Sequence, residues 1–557
     1  MRIFTILPAV ILAILLPATT RSQINRNWAS TLASPSTMVS CVKTDASGNV
    51  YVAGIVTNTF SYILIKYNAS GVQQWVAAGS AGTAFYDLGY PGIAGIGIDQ
   101  SGNVYITSNW LGGMGTTAYN SSGQQLWYTV PTYNNCYCVA YAATVDASGN
   151  VYITGKAEAD GGSAGTATCL TVKLNSAGSQ QWAVAYSSTL QESLGLYIAL
   201  DASGNVYVAG NVTNPHLYIS GGSRGGIITF KRDTTLDIVA IKYDPSGNTL
   251  WTNTYNGGYQ TNDSPDGLAL DASANVYLIG YSKATSQVNE IIAWSTGGTQ
   301  LWLNQDLPAV TSNSSIAVDP SGNILTLGST GSSFNVTKYT SAGTLSWTYY
   351  GSAISSGNSY MALDNEGNCY VTGTAAGNYT TVQVSASGTQ GWEASYSGPV
   401  NGLNKAAGIA VFNLPSSRPG VVVSYPEIDV AGTADNGTEI ATVQYQYKAE
   451  ILAASKTDSL AGQATIAPFA SQLSNFPNPF RSATTITYTL SSDSHVILQV
   501  YNGTGRPVTT LVDEDETAGP HTLSFNASRL APGLYPYRIT AVSPQGSFTQ
   551  TKQMLIQ

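Results

Sequence analysis

Apolar and polar positions along the chain fall into short runs separated by clusters of Gly, Asn, Asp and Ser, as in strands joined by tight turns. One phrase recurs seven times. Its first copy reads Asp45-Ala-Ser-Gly-Asn-Val-Tyr-Val-Ala-Gly54, and later copies begin at Asp99, Asp146, Asp201, Asp271, Asp319 and Asp364. Successive copies lie 54, 47, 55, 70, 48 and 45 residues apart. A period that long, tolerant of insertion, points to propeller blades rather than a tight solenoid. The Asp opens a turn by accepting from its own backbone, the Gly takes the position with positive φ, and the Asn closes the turn. The Val-Tyr-Val run that follows is apolar on both faces, as a strand needs to be when it is sandwiched between neighbouring blades.

A second phrase follows the first: Ile65-Lys66-Tyr67-Asn-Ala-Ser-Gly71-Val-Gln-Gln-Trp75. It returns from Lys173 to Trp182, from Lys242 to Trp251 and from Lys338 to Trp347, with weaker copies ending at Trp127, Trp302 and Trp392. Each unit therefore has four strands: one before the Asp, one after the Asn, one ending in Lys-Tyr and one carrying Trp. The last unit has a first strand around Ile409–Val411, a second over Glu427–Gly432 and a third over Thr442–Tyr445, and then leaves without its Trp strand. Trp28, alone near the start of the repeat region, supplies the missing fourth strand and closes the ring, which hides the edges of an open sheet. The expected fold is all-β: an eight-bladed β-propeller over 23–447, with seven blades as the alternative. A small C-terminal β-sandwich follows it.

Composition supports this reading and narrows the function. Charged residues make up 10% of the 557, too few for a disordered chain of this aromatic content. The formal charge of −9 opposes binding to nucleic acid or to anionic head groups. Residues 1–22 read as a signal peptide: Arg2 is followed by an apolar run from Ile3 to Leu16, too short for the roughly 20 residues of a membrane span. No other stretch reads as a span. The five cysteines, Cys41, Cys136, Cys138, Cys169 and Cys369, cannot all pair within one chain and match no zinc spacing. Cys136 and Cys138 share a face of a strand and are expected not to bond to each other; all five are expected to be small core residues.

The two repeating phrases resemble the SBBP class of bacterial propeller repeats over about Trp28 to Tyr447. Two places depart from the pattern: Asp271-Ala-Ser-Ala274 loses its Gly, and Asn413 to Tyr425 replace the last turn. The resemblance implies the fold and little about function.

Residues 448–474 are rich in Ala, Ser and Gln and read as a linker. Over 475–557, strands are expected at Thr484–Leu490, His495–Tyr501 and His521–Phe525, enough for a small sandwich. Pro477-Asn478-Pro479, the run from Val500-Tyr501 through Gly505 to Arg506, Gly533-Leu-Tyr535-Pro-Tyr537-Arg538, and Lys552 ahead of a short apolar end carry a second resemblance. This segment is similar to the C-terminal sorting domain of type IX secretion substrates. That likeness implies export across the outer membrane, removal of the domain, the secretion machinery as partner, and release or attachment at the cell surface. Pro536, inside a strand, is expected at an edge position.

Catalytic constellations are scarce. Gly161-Gly-Ser163-Ala-Gly165 and Gly221-Gly-Ser223-Arg-Gly225 fit the nucleophile-elbow pattern, but no helical pattern follows them, and His216 is the one histidine of the repeat region. The hairpin Tyr243 to Trp251 resembles a sialidase Asp-box with one residue too many between Gly and Trp. The arginines Arg26, Arg224, Arg232 and Arg418 lie in terminal or inserted segments rather than in a carboxylate-gripping cluster. The Gly-x-x-x-Trp turns also resemble the Trp-docking repeats of pyrroloquinoline-quinone dehydrogenases, in architecture alone. One carboxylate per turn is too few for calcium. No cofactor, metal or catalytic residue is expected.

The Asp turns and the Gly turns lie on one face of the ring, and the longer loops share the other. Trp110, Asp160, His216, Arg224, Lys231, Arg232, Tyr259, Asp263 and Asp266 sit in those loops and are the binding-face candidates. The expected function is a noncatalytic, monomeric surface protein that binds polysaccharide or protein. The alternatives are a hydrolase or lyase with its acids on the loop face, and a structural surface-layer component.

Overall fold

The computed structural model describes residues 23–557 apart from 35, 60, 81–91, 111–112, 135, 160–166, 187–191, 214–215, 221–228, 234, 259–260, 284–285, 309–311, 331–332, 353, 355–358, 400–401, 414–425, 449–472, 479, 491–492, 503–506, 529 and 544–545. The signal peptide and most of the linker expected from sequence lie outside the described residues. The chain divides into two compact units, one built on residues up to Glu450 and the other on residues from Ile451.

The first unit is all-β and propeller-like. Its described residues form eight four-stranded antiparallel sheets and one extra hairpin. Sheets 1 to 7 each take four strands in chain order. Sheet 1, for example, runs Thr37–Thr44, Val50–Val56, Ser61–Tyr67, Gln73–Ser80. Sheet 8 takes Lys405–Asn413, Pro426–Ala434 and Glu439–Lys448, and its fourth strand is Gln23–Ala33 from the other end of the unit. Trp28 pairs with Gln444 in that closing ladder. Each sheet packs against the next, and sheet 8 packs against sheet 1 through Thr37–Thr44.

Local chemistry explains the repeated phrase. Val50 to Ala53 are buried completely, as a strand covered on both faces requires. Among the described residues, seven of the first strands carry a bulge, where the ladder register steps over Ser40, Ala94, Tyr141, Leu196, Asp266, Ser314 and Ala407. The closing Gly of the phrase answers that bulge: a β-carbon on Gly54 would lie 2.8 Å from the Met38 carbonyl oxygen. In the copy that lacks its turn Gly, Ala274 adopts φ 59° and keeps the turn.

One cysteine expectation is corrected. Cys136 and Cys138 are joined as a disulfide, with α-carbons 5.9 Å apart. Because i and i+2 project from one face of a strand, the two side chains point the same way, and this α-carbon spacing falls within the disulfide range. Cys41, Cys169 and Cys369 are free; the last two are buried.

The second unit is a β-sandwich of a three-stranded and a four-stranded sheet. Phe480, Ile486, Tyr488, Val496, Leu498, Val500, Phe525, Tyr537, Ile539 and Met554 fill its core. Pro536 sits inside Gly533–Ser543, which lies between two neighbours in its sheet rather than at the edge. The ladder to one neighbour ends at Val500–Tyr537, so at Pro536 the strand keeps a single partner, Gln553.

Candidate functional site

The repeated aspartates are spent within the fold. Asp45 accepts from the Ser47 and Asn49 amides at 2.9 and 3.0 Å through Oδ1. Its Oδ2 accepts from Asn49 Nδ2 at 2.8 Å and from the Tyr51 hydroxyl at 3.0 Å. Asp99, Asp146, Asp201, Asp271 and Asp364 repeat the tyrosine contact with Tyr105, Tyr152, Tyr207, Tyr277 and Tyr370. At Asp201, burial pushes the carboxyl up, but the donors Asn205, Tyr207 and Ser203 outweigh it and hold the group below its usual range. Asp319 has Leu325 where the others have tyrosine, and pairs instead with Lys338 Nζ at 2.8 Å. A cleft of about 760 Å³ on this face is lined by Asp271, Asp319 and Asp364, but their oxygens already have internal donors.

The tryptophans bind sheet to sheet. Trp28, Trp75, Trp127, Trp182, Trp251, Trp302 and Trp347 each donate the indole N–H to a carbonyl in the turn of the following sheet, at 2.9–3.2 Å. A β-carbon on the turn glycine would strike the ring: 2.6 Å at Gly123 against Trp75, 2.9 Å at Gly247 against Trp182. Trp392, 6% exposed, has no acceptor for its N–H. The reason is topological. The sheet after it is sheet 8, where the two ends of the unit meet and no turn joins the third strand to the fourth.

The opposite face carries the second-to-third-strand loops. His216, Lys231 and Arg232 stand on a hairpin, His216–Ser220 with Thr229–Asp233, that rises from sheet 4. Their side chains, and that of Trp110, are outside what is described, as are Asp160, Arg224 and Tyr259 altogether. Asp266 is the bulge residue of the first strand of sheet 5, and its charge helps raise the Tyr197 phenol, after burial, to about 12. Asp263 turns inward: it is wholly buried, its Oδ2 accepts from the Gly257 amide at 2.6 Å, and its Oδ1 has no hydrogen-bond partner.

Sequence reasoning missed the carboxylate beside it. Glu290, also wholly buried, accepts from Tyr255 Oη at 2.7 Å, Gln305 Nε2 at 3.1 Å and Ser282 Oγ at 2.8 Å. Burial raises its pKa, those donors oppose the shift, and the charge of Asp263 adds to it. Sheet 8 holds a similar pair. Asp429 occupies the place of the repeat tyrosine, opposite Gln444 where sheet 1 has Lys66. Gln444 Nε2 donates to Asp429 Oδ1 at 3.0 Å and to Glu427 Oε2 at 3.3 Å, and Asn27 donates to Gln444 Oε1 at 2.7 Å. Asp429 Oδ2 has no partner, and burial drives its pKa well above the carboxylate range. Only the periodicity, a polar residue where tyrosine should stand, signals this pair in the sequence.

An accessible feature among the described residues is a cleft of about 750 Å³ on the loop face, at the ends of the first strands of sheets 8 and 1. Met38, Leu403, Tyr360, Ala407 and Lys405 line it, with Met38 49% and Leu403 60% exposed. Among the described residues no group of three or more His, Cys, Asp or Glu is placed to hold a metal ion.

In the second unit the sorting motif is clipped to the chain's last strand. Thr484 Oγ1 donates to the Pro477 carbonyl at 2.7 Å, the Leu555 amide to Asn478 Oδ1 at 2.9 Å, and the Phe480 amide to the Leu555 carbonyl at 3.0 Å. Tyr535 Oη reaches the Ala531 carbonyl, and the Arg538 guanidinium lies 5.1 Å over the Tyr501 ring. Lys552 is exposed; Pro479 and Gly505 lie outside the described residues.

Residues 474–557 match the family of secretion system C-terminal sorting domains. The protein is thus of a defined class, an all-β, propeller-like chain carrying a sorting tail. It is secreted and attached at the cell surface, with the secretion machinery as a partner. No helix among the described residues is long and apolar enough to cross a membrane. No curated protein sequence matches the chain at a significant level. Among solved structures, a quinohemoprotein alcohol dehydrogenase of Pseudomonas putida is 10% identical, with 82% of this chain and 80% of that one covered and a TM-score of 0.45. A gluconolactonase of Xanthomonas campestris is 12% identical over 62% of this chain and 86% of that one, TM-score 0.31. PorZ, a surface component of the type IX secretion system of Porphyromonas gingivalis, is 12% identical over 93% and 81%, TM-score 0.24.

Proposed function

We propose that the first unit is an eight-bladed propeller of the SBBP kind, exported by a type IX tail and used as a monomer to bind surface polysaccharide or protein without catalysis. Eight four-stranded sheets in sequence, with sheet 8 packed on sheet 1, support the ring of eight. The observation that carries the binding role is the loop-face cleft. Met38 and Leu403 leave apolar surface in water beside Tyr360 and, among the described lining residues, a single cation, Lys405, which suits an uncharged or weakly anionic ligand. The test is an array of surface glycans and surface proteins probed with the mature chain, followed by Leu403→Asp and Met38→Asp. Binding reduced at least tenfold by either change supports the reading, and binding untouched by both refutes this site.

The second reading, a hydrolase or lyase acting on polysaccharide, draws on one observation. Glu290 has the upward shift of a general acid and lies beside another carboxylate. Both groups are wholly buried, so that reaction requires the boundary between sheets 4 and 5 to open.

A further inference from the structure

The Cys136–Cys138 bridge fastens nothing that the backbone does not already fasten. Both residues stand on one strand, and Cys136 pairs with Ala159 and Cys138 with Ala157 in the same ladder. A bridge around one intervening residue, Tyr137, restricts the unfolded chain about as little as a disulfide can, so its contribution to stability is minimal. Its position suits exchange instead. The strand begins at Cys136 on the loop face; Cys136 is half-buried, whereas Cys138 is 3% exposed, so the Cys136 end of the bridge is the more accessible to a nucleophile. The remaining sulfurs do not compete: burial pushes the thiols of Cys41 and Cys169 up to about 12, and that of Cys369 higher still.

We propose that Cys136–Cys138 is an exchange-active disulfide that accepts two electrons from a dithiol. This site is independent of the ligand cleft. A thiolate of the dithiol attacks Cys136 Sγ, forming a mixed disulfide; the Cys136–Cys138 bond breaks, and Cys138 leaves as a thiolate that takes up a proton from solvent. The second thiolate of the dithiol then attacks its own sulfur in the mixed disulfide and expels Cys136, which is also protonated. The dithiol ends as a disulfide and the protein gains two thiols, so electrons and protons balance.

The test uses the mature chain, folded and free of denaturant, incubated with graded dithiothreitol, quenched in acid, alkylated and mapped by peptide mass. Reversible gain of two alkylated sites at Cys136 and Cys138, with the thermal midpoint unchanged, is the expected result. In Cys138→Ser, glutathione disulfide should label Cys136, and in Cys136→Ser it should leave Cys138 unlabelled. Three results overturn the proposal: a bridge that stays closed until denaturant is added, a thermal midpoint that falls on reduction, or Cys136 and Cys138 both found as free thiols in the air-equilibrated protein. The wild-type mapping decides the matter even if either variant fails to fold.

Discussion

Trp28 donates its indole N–H to the Ala69 carbonyl at 3.1 Å and lies against Gly71, so a residue from the start of the unit locks sheet 8 to sheet 1. The same lock recurs at every other junction except that of sheets 7 and 8, where Trp392 has no acceptor, and in four of them a lysine reinforces it. Lys242 Nζ and Trp251 Nε1, for instance, donate to the single Thr296 carbonyl at 2.9 and 3.0 Å. Sheet 8 thus depends on Gln23–Ala33 for its fourth strand. Trp28→Ala is expected to lower stability by about 3 kcal/mol, near the lower end for a packed aromatic because Trp28 is partly exposed. Removal of residues 23–33 leaves Glu439–Lys448 as an open edge and should promote association. Urea unfolding and light scattering measure the two effects.

Turn glycines carry both a positive φ and a ring contact. Gly247→Ala, at φ 87° and against Trp182, should cost about 1–3 kcal/mol by combining strain with overpacking. Ala274→Gly should act in reverse and stabilise by about 1 kcal/mol, since alanine already holds a left-handed conformation there. Thermal midpoints of the two variants must move in opposite directions.

The tyrosine hydroxyls brace the Asp turns. Tyr207→Phe removes one donor from a carboxylate that keeps three others, and should cost about 1 kcal/mol. Lys338→Met takes away the cation paired with Asp319, which is nearly buried, and should cost about 3 kcal/mol. A loss at Lys338 no larger than that at Tyr207 would contradict the ion-pair account.

Asp429 makes sheet 8 sensitive to pH. Its pKa is raised in the folded state, so its contribution to stability is complete below the ordinary carboxylate range and is lost as pH rises through the raised value. Asp429→Asn should flatten the fall in thermal midpoint of the first unit as pH rises above the ordinary carboxylate range. In the second unit His495 is raised by its hydrogen bond to Asp515, opposed by desolvation and helped by Asp513; its contribution is present below the usual histidine value and fades as pH rises through the raised one. An NMR titration of His495 checks the direction.

The strands and their order were legible because each unit repeats its turn chemistry, and a strand buried on both faces has no polar residue to blur its signal. Trp28 could be assigned to the last sheet because the tally of Trp strands was one short. The buried carboxylates were not legible. The partners of Glu290 come from Tyr255 in sheet 4, Ser282 in sheet 5 and Gln305 just beyond it, a convergence no local pattern records. Asp263 looked like a loop residue because its neighbours are polar, whereas the bulge at Asp266 and the bond to Gly257 draw it inside. Pro507–Glu516 was missed as a strand because its Asp-Glu-Asp-Glu end reads as solvated loop; it is an edge strand, where such charge is tolerated.

The measurement that bears most directly on the account is the intact mass of the protein recovered from the surface and medium of the producing cells. A product running from about Gln23 to a point before Ser474 is the predicted result, with the propeller delivered and the sorting unit removed. A chain retaining residues 474–557 and confined to the periplasm would contradict it.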